Sequence, residues 1–426
     1  MTVTGIWDWA LLSAKKIDVS EIRKKTLAID GHIWLYESVR GSQTHYKVET
    51  TYLITFFKRC MKLLEQNIKP IVVFDSLVSH EPSTSVGSQE SFCARKQRRA
   101  GGDHFNNFSD RVLKCQALLR RMGVHIVFAP RDGEAQCAQL EIDGIVDGCI
   151  TTDFDYFLFG GRNLYRIQFD DNLKDITHIS MNSIELEKKI HRKGLISLAI
   201  LLGCDYYEKG VKGIGIVTGV EAVTQFTFLH DDDPTVILDR FTSYVRGEIP
   251  ERPDDSEVKL KLRKRKFNFS QEFPNSGDVS EAVNVYLQPQ TTLFDKAKFK
   301  DVLEQNMVKV EEILSRECGW TPERMNKELK KSQRKSTLVK EEITQKRIPD
   351  YFVTSKRRYQ PVVESCSVEE YIEENRKYTE TKKRRVSGVV GPKLPKKRGF
   401  KKSSMSPEVI QIEDSDSSSV EVIQID

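Results

Sequence analysis

Three short apolar runs, each closed by an aspartate, constrain the fold more than any other feature of this sequence. Thr26-Leu27-Ala28-Ile29 leads into Asp30, Pro70-Ile71-Val72-Val73-Phe74 into Asp75, and Gly148-Cys149-Ile150-Thr151-Thr152 into Asp153. Runs of this length read as buried strands. In an open parallel sheet, ligands gather outside the carboxyl ends of the strands, so acids placed there converge. Asp132, Glu134, Asp155 and Asp205 join them in a set of seven. Two carboxylates about 4 Å apart repel by roughly 4 kcal/mol at an effective dielectric near 20. Such a cluster demands protons or cations, and hard divalent cations prefer oxygen ligands. The pattern implies metal-dependent phosphate chemistry.

Between the acids, strands alternate with helices. Residues 51–66 carry apolar side chains at helical spacing (Leu53, Phe56, Phe57, Cys60, Leu63, Leu64). A helix near 108–121, a strand over 124–130, a helix from Asp132 to Glu141 and a strand at 147–152 follow. This alternation predicts an α/β fold with a mostly parallel central sheet flanked by helices. Residues 182–204 read as helical, and Gly210-Val211-Lys212-Gly213-Ile214-Gly215 as a tight hairpin before a helix at 217–226. Residues 230–256 show little pattern; an amphipathic helix is expected from Phe299 to Leu314, and another after the N-cap pair Thr321-Pro322. The division that follows is an N-terminal region (1–110), an internal region (111–225), a helical C-terminal part of the core (226–330) and a disordered tail (331–426).

Charge divides the chain in the same way. Residues 331–402 hold 21 Lys and Arg against 9 Asp and Glu, whereas 403–426 hold six acids and no base. The remainder carries −1 although seven of its acids belong to the cluster, so its other surfaces are mildly basic, which suits a phosphate backbone. Eight scattered cysteines without a CxxC pair argue against zinc and for free thiols in a reducing compartment. With no long apolar span and no secretory signal, a soluble intracellular chain with no membrane partner is expected.

A pair of acids two residues apart is by itself more often a turn or a helix cap than a site. Here Asp132-Gly133-Glu134 and Asp153-Phe154-Asp155 both stand at expected strand ends. Ala129-Pro130-Arg131-Asp132-Gly133-Glu134-Ala135, Thr152-Asp153-Phe154-Asp155-Tyr156, and Leu201-Leu202-Gly203-Cys204-Asp205-Tyr206 with Gly210 to Gly215 resemble the flap endonuclease/XPG superfamily of structure-specific nucleases, with a PIN-like core. The resemblance implies that Asp30, Asp75, Asp132, Glu134, Asp153, Asp155 and Asp205 are catalytic and hold two Mg²⁺ ions, for which Mn²⁺ can substitute. It implies a basic gateway (about 76–104) in which Arg95, Lys96, Arg98 and Arg99 meet DNA; a solvated charge run is the plainer reading. Tyr36 resembles an aromatic on which a base stacks, although core packing is as good a reading from sequence alone. Gly213 and Gly215 fall in what resembles a helix–two-turn–helix (about 196–226) that grips duplex DNA and takes a K⁺ ion. Two positions depart from the family pattern: Asp132 where Glu is usual, and Thr2 where Gly is usual.

Three segments of the tail resemble addresses. Gln345, Ile348, Tyr351 and Phe352 have the spacing of a sliding-clamp motif. Lys382-Lys383-Arg384-Arg385 and Lys396-Lys397-Arg398 read as nuclear localisation. Glu408-Val409-Ile410-Gln411-Ile412 recurs unchanged at Glu421-Val422-Ile423-Gln424-Ile425 and resembles SUMO-interaction motifs. The stretch between Asp75 and Asp132 is short for a flap endonuclease arch. With Trp34 and the segment 147–151 it resembles the GEN-type Holliday-junction resolvases, which implies a monomer in solution that pairs on a four-way junction. The clamp-like motif points instead toward enzymes of 5′ flaps and bubbles, and a non-catalytic junction scaffold is a third expectation.

Overall fold

A computed structural model describes residues 5–45, 50–76, 102–170, 173–229, 232–299 and 303–344. Side chains of residues 39–45 and 102–108 are not described. The gateway residues Arg95, Lys96, Arg98 and Arg99, position 2, and the tail motifs from Gln345 to Ile425 lie outside the described residues.

Seven strands form one sheet: β1 (Lys15–Ile17), β2 (Thr26–Asp30), β3 (Lys69–Phe74), β4 (His125–Phe128), β5 (Cys149–Ile150), β6 (Asn163–Gln168) and β7 (Asp175–Ser180), in the order β1-β7-β6-β5-β2-β3-β4. The central strands β6, β5, β2, β3 and β4 run parallel, whereas β7 lies antiparallel to both β6 and β1. The chain steps from β2 outward to β3 and β4, then returns to place β5 on the other side of β2. Strand order therefore reverses between β2 and β5, the switch point where α/β sheets open a crevice for ligands.

Helices cover both faces: α1 (Ile6–Ala10), α2 (Gly31–His45), α3 (Thr51–Glu65), α4 (Gly102–Arg121), α5 (Gly133–Ile142), α6 (Asp155–Leu158), α7 (Met181–Lys188), α8 (Arg192–Leu202), α9 (Ile216–Phe226), α10 (Pro234–Arg246), α11 (Glu257–Arg263), α12 (Gly277–Leu287), α13 (Met307–Cys318) and α14 (Pro322–Thr344). Two apolar clusters result. One joins Ala28, Ile71 and Val73 of the sheet to α5, α8, α9, α10 and α12 through residues such as Leu198, Val223, Phe241 and Tyr286. The other joins Leu27, Ile29, Val72 and Phe74 to Phe56 and Phe57 of α3, Leu118 of α4, and Val310, Leu314, Trp320 and Met325 from the last helices. Alternation along β2 and β3 sends successive side chains to opposite clusters.

Several elements differ from the sequence reading. The helical stretch over 182–204 is divided in two, because Lys189 takes a left-handed conformation (φ 55°) that ends α7 before α8 begins. The patternless stretch 230–256 contains α10, whose start is fixed by the Asp233 side chain and Pro234. The amphipathic helix expected from Phe299 begins at Met307, where Asn306 accepts from the Lys309 amide. The last helix runs to Thr344, past residue 330, with Val339 still buried against the core. The segment assigned to 226–330 is shared between two faces: α10 and α12 join the first cluster and α13 the second.

Candidate active site

The four strands β2, β3, β4 and β5 deliver six of the seven acids to one end of the sheet. Asp30 is the last residue of β2, Asp75 follows β3, Asp132 and Glu134 open α5 after β4, and Asp153 and Asp155 follow β5. Asp205 follows the C-terminal end of α8 rather than a strand. Asp30, Asp75, Asp132, Asp153 and Asp155 are buried; Glu134 and Asp205 are partly exposed.

Backbone and neighbouring side chains hold the acids. Asp30 Oδ1 accepts from the Ile33 amide in the first turn of α2 (3.0 Å), and its Oδ2 lies 3.3 Å from Thr151 Oγ1. Thr151 in turn accepts from the Asp153 amide (3.0 Å), and Asp153 Oδ1 from the Asp155 amide (3.2 Å). Asp75 Oδ1 accepts from the Gly133 amide at 2.8 Å. A Cβ at position 133 would stand 2.8 Å from that same oxygen, so glycine is what permits this approach. The Asp75 amide donates to His32 Nδ1 (2.9 Å). Burial lowers the His32 pKa to about 4, so the ring is neutral at pH 7. With Nδ1 accepting, its proton resides on Nε2.

The acids repel one another. Burial, reinforced by Asp75 and Asp153 but opposed by the Ile33 hydrogen bond, raises the Asp30 pKa from 3.8 to about 7. Glu134 is pushed well above the usual carboxylate range by burial and then by Asp30, Asp75, Asp153 and Asp132. Asp155 is pushed up by burial and by Asp153 and Asp205. All seven predicted acids are thus linked through mutual repulsion into one cluster, which favours protons or bound cations.

Asp132 and Asp155 each have one oxygen engaged by a tyrosine. Tyr206 Oη donates to Asp132 Oδ2 (2.6 Å), beside Arg131 Nε at 3.3 Å. Tyr286 Oη donates to Asp155 Oδ2 (2.7 Å), while Asp155 Oδ1 is buried and meets no hydrogen-bond partner among the described residues. A buried carboxylate oxygen of that kind calls for a cation. Among the described residues no three His, Cys, Asp or Glu side chains are arranged to hold an ion unaided. The donor set fits a hydrated Mg²⁺, which keeps several waters and takes one or two carboxylates plus substrate phosphates, better than an ion enclosed by protein.

Sequence reading missed His32, Gly133, Arg131, Tyr206 and Tyr286. The glycine between two predicted acids was a visible signal; Tyr286 had none. Tyr36 is 48% exposed on α2, the helix that anchors Asp30, which excludes core packing for it. Trp34 is buried against Phe56 and Phe169. Gly213 (φ 98°) lies in the hairpin between α8 and α9, and Gly215 caps α9 with open space before its α-carbon.

Comparison with known proteins places this arrangement. Residues 1–99 match the XPG N-terminal domain and residues 123–205 the XPG I-region. Flap endonuclease GEN homolog 1 of Mus musculus is 30% identical over 225 residues, covering 50% of this chain and 24% of the relative. The chain thus spans about a quarter of that relative's length. The solved catalytic core of Rad2 in complex with DNA substrate is 28% identical, with a TM-score of 0.60, over 76% of this chain and 98% of that core. The Holliday junction-resolving enzyme GEN1, solved with product DNA and Mg²⁺, shares the fold at 21% identity and a TM-score of 0.56, over 79% of this chain and 78% of the other.

Proposed function

We propose, from the matches to the XPG N-terminal domain and the XPG I-region and the likeness to the Rad2 core, that the chain is a Mg²⁺-dependent, structure-specific endonuclease that hydrolyses phosphodiesters at branched DNA. The observation that carries this reading is the set of seven mutually repelling acids gathered at the switch point of the sheet. Asp30, Asp75, Asp132, Glu134, Asp153, Asp155 and Asp205 are the residues that hold the metal, directly or through water. Bound there, divalent ions activate a water and stabilise the leaving oxygen of the phosphodiester. The protein's part is to hold the acids in place: the Ile33 and Gly133 amides fix Asp30 and Asp75, and neutral His32 secures the backbone at Asp75. Tyr36, exposed on the helix that begins beside Asp30, is the residue on which a base stacks, a contact worth about 1–3 kcal/mol. The α8–α9 hairpin, with Gly213 and Gly215, is the element to approach duplex phosphates and to hold K⁺ through carbonyls.

The preferred substrate is a four-way junction, cut by two copies of the chain acting together; the short stretch between Asp75 and Asp132 supports this reading, whereas the GEN relative is named a flap endonuclease. A second reading, a 5′-flap or bubble endonuclease, draws on the higher identity to the Rad2 core, 28% against 21% for the solved junction-resolving enzyme. Side-by-side cleavage of a 5′ flap, a bubble, a fork and an intact four-way junction in Mg²⁺ separates the two. Paired symmetric nicks on the junction are expected, and strong flap cutting without junction cutting favours the second reading. Asp30→Asn abolishes cutting while junction binding persists. A wild-type protein that binds branched DNA and cuts none of the four is a scaffold. The basic tail supplies nuclear localisation, and the clamp- and SUMO-type motifs its partners, in this proposal.

A further inference from the structure

The two carboxylates held by tyrosines belong to different acid pairs, Asp132 with Glu134 and Asp153 with Asp155. Their phenols touch: Tyr206 and Tyr286 meet edge to face with centroids 5.2 Å apart, and Phe159 packs against Tyr286 (5.1 Å) and Tyr206 (6.4 Å). The Arg131 guanidinium lies 5.4 Å from the Tyr206 ring centroid while its Nε approaches Asp132. Tyr206 neighbours Asp205, but Tyr286 comes from α12, outside both matched regions.

We propose that Tyr206 and Tyr286 are positioning residues that act as one aromatic clasp, each phenol fixing one oxygen of an acid so that the other oxygen is presented to the metal. The inference rests on the metal-dependent reading above and adds to it the device that orients the ligands. A carboxylate on a single-bonded arm turns freely about its last torsion; a phenol donating to one oxygen removes that freedom. At Asp155 the result is visible, with Oδ2 bonded to Tyr286 and the buried Oδ1 without a hydrogen-bond partner among the described residues. At Asp132, one methylene shorter than Glu, Tyr206 and Arg131 converge on the same oxygen, Oδ2, and so fix the plane of the carboxylate. Ring contact couples the two settings, so displacing one phenol shifts the other.

Tyr286→Phe and Tyr206→Phe keep the rings and remove only the donors. Mn²⁺ titrated into the full-length, EDTA-stripped protein, with free ion counted by electron paramagnetic resonance, gives the dissociation constant without activity. Partners that orient metal ligands typically govern affinity by about 10–100-fold, so Tyr286→Phe weakens Mn²⁺ binding by at least tenfold and Tyr206→Phe by a lesser factor. Excess Mg²⁺ restores cutting by both variants, and metal-free DNA binding is unchanged. Mn²⁺ affinity equal to wild type in Tyr286→Phe overturns the clasp, whatever its melting temperature. A wild type that binds no Mn²⁺ overturns the nuclease reading instead.

Discussion

At the scale of single residues, the acid cluster is a balance between burial and fixed donors. Gly133 gives the sharpest case. Its amide donates to Asp75 Oδ1 and its missing Cβ clears the same oxygen. Gly133→Ala forces that carboxylate to move; overpacking of this kind costs about 1–3 kcal/mol. We expect a comparable loss in urea denaturation with a fall in cutting of more than tenfold, and undiminished cutting would show that Asp75 tolerates the shift. Asp30 supplies the pH dependence. Its pKa, raised to about 7 in the folded protein against 3.8 ordinarily, means that the folded state holds the proton more tightly. The associated stability is complete below about pH 4 and is lost as pH rises through 7. His32, lowered to about 4, acts oppositely: its contribution is present above 6.5 and lost as pH falls. The difference between Asp30→Asn and wild type isolates the first effect. In EDTA the variant gains on wild type in melting temperature from pH 4.5 to 8, and Mg²⁺ narrows the gap at pH 8. A gap that stays constant across pH would refute the raised pKa.

At the scale of elements, the late helices close the second apolar cluster. Trp320, between α13 and α14, is buried and meets Phe57 of α3 edge to face at 5.5 Å, while the Arg324 guanidinium lies 4.7 Å from its ring centroid. Emptying such a site costs about 3–5 kcal/mol. Trp320→Ala is therefore expected to lower the urea midpoint of the whole core in one transition. A separate early transition would mean that α13 and α14 unfold independently. Where the sequence misled, the physics is local. The break between α7 and α8 depends on one left-handed lysine, which no periodicity reveals. The start of α10 carried an Asp-Pro capping signal, but its apolar residues Ile237, Leu238, Phe241 and Tyr244 stand among charged and hydroxyl neighbours that hid the helical face. Strands β6 and β7 mix buried with partly exposed residues and so lack the unbroken apolar runs of β2 and β3.

At the scale of the whole molecule, the parallel centre of the sheet and the gathering of acids at one end were legible, because buried parallel strands must be apolar throughout and an acid ends each run. The reversal of strand order between β2 and β5, which brings Asp30 beside Asp153, was not legible, because alternation of strands and helices implies a parallel sheet but not the order of its strands. Tyr286, more than 130 residues from Asp155, was out of reach, since a contact between a helix and a distant loop leaves no spacing in the chain. Tyr286 also bears on biosynthesis. The ribosome makes all seven carboxylates by residue 205, whereas the phenol that restrains Asp155 emerges later and the Trp320 support later still. A nascent chain, or one truncated before α12, carries the acids without the phenol proposed to aim Asp155, so on that proposal full metal affinity arrives only when translation of the core is nearly finished.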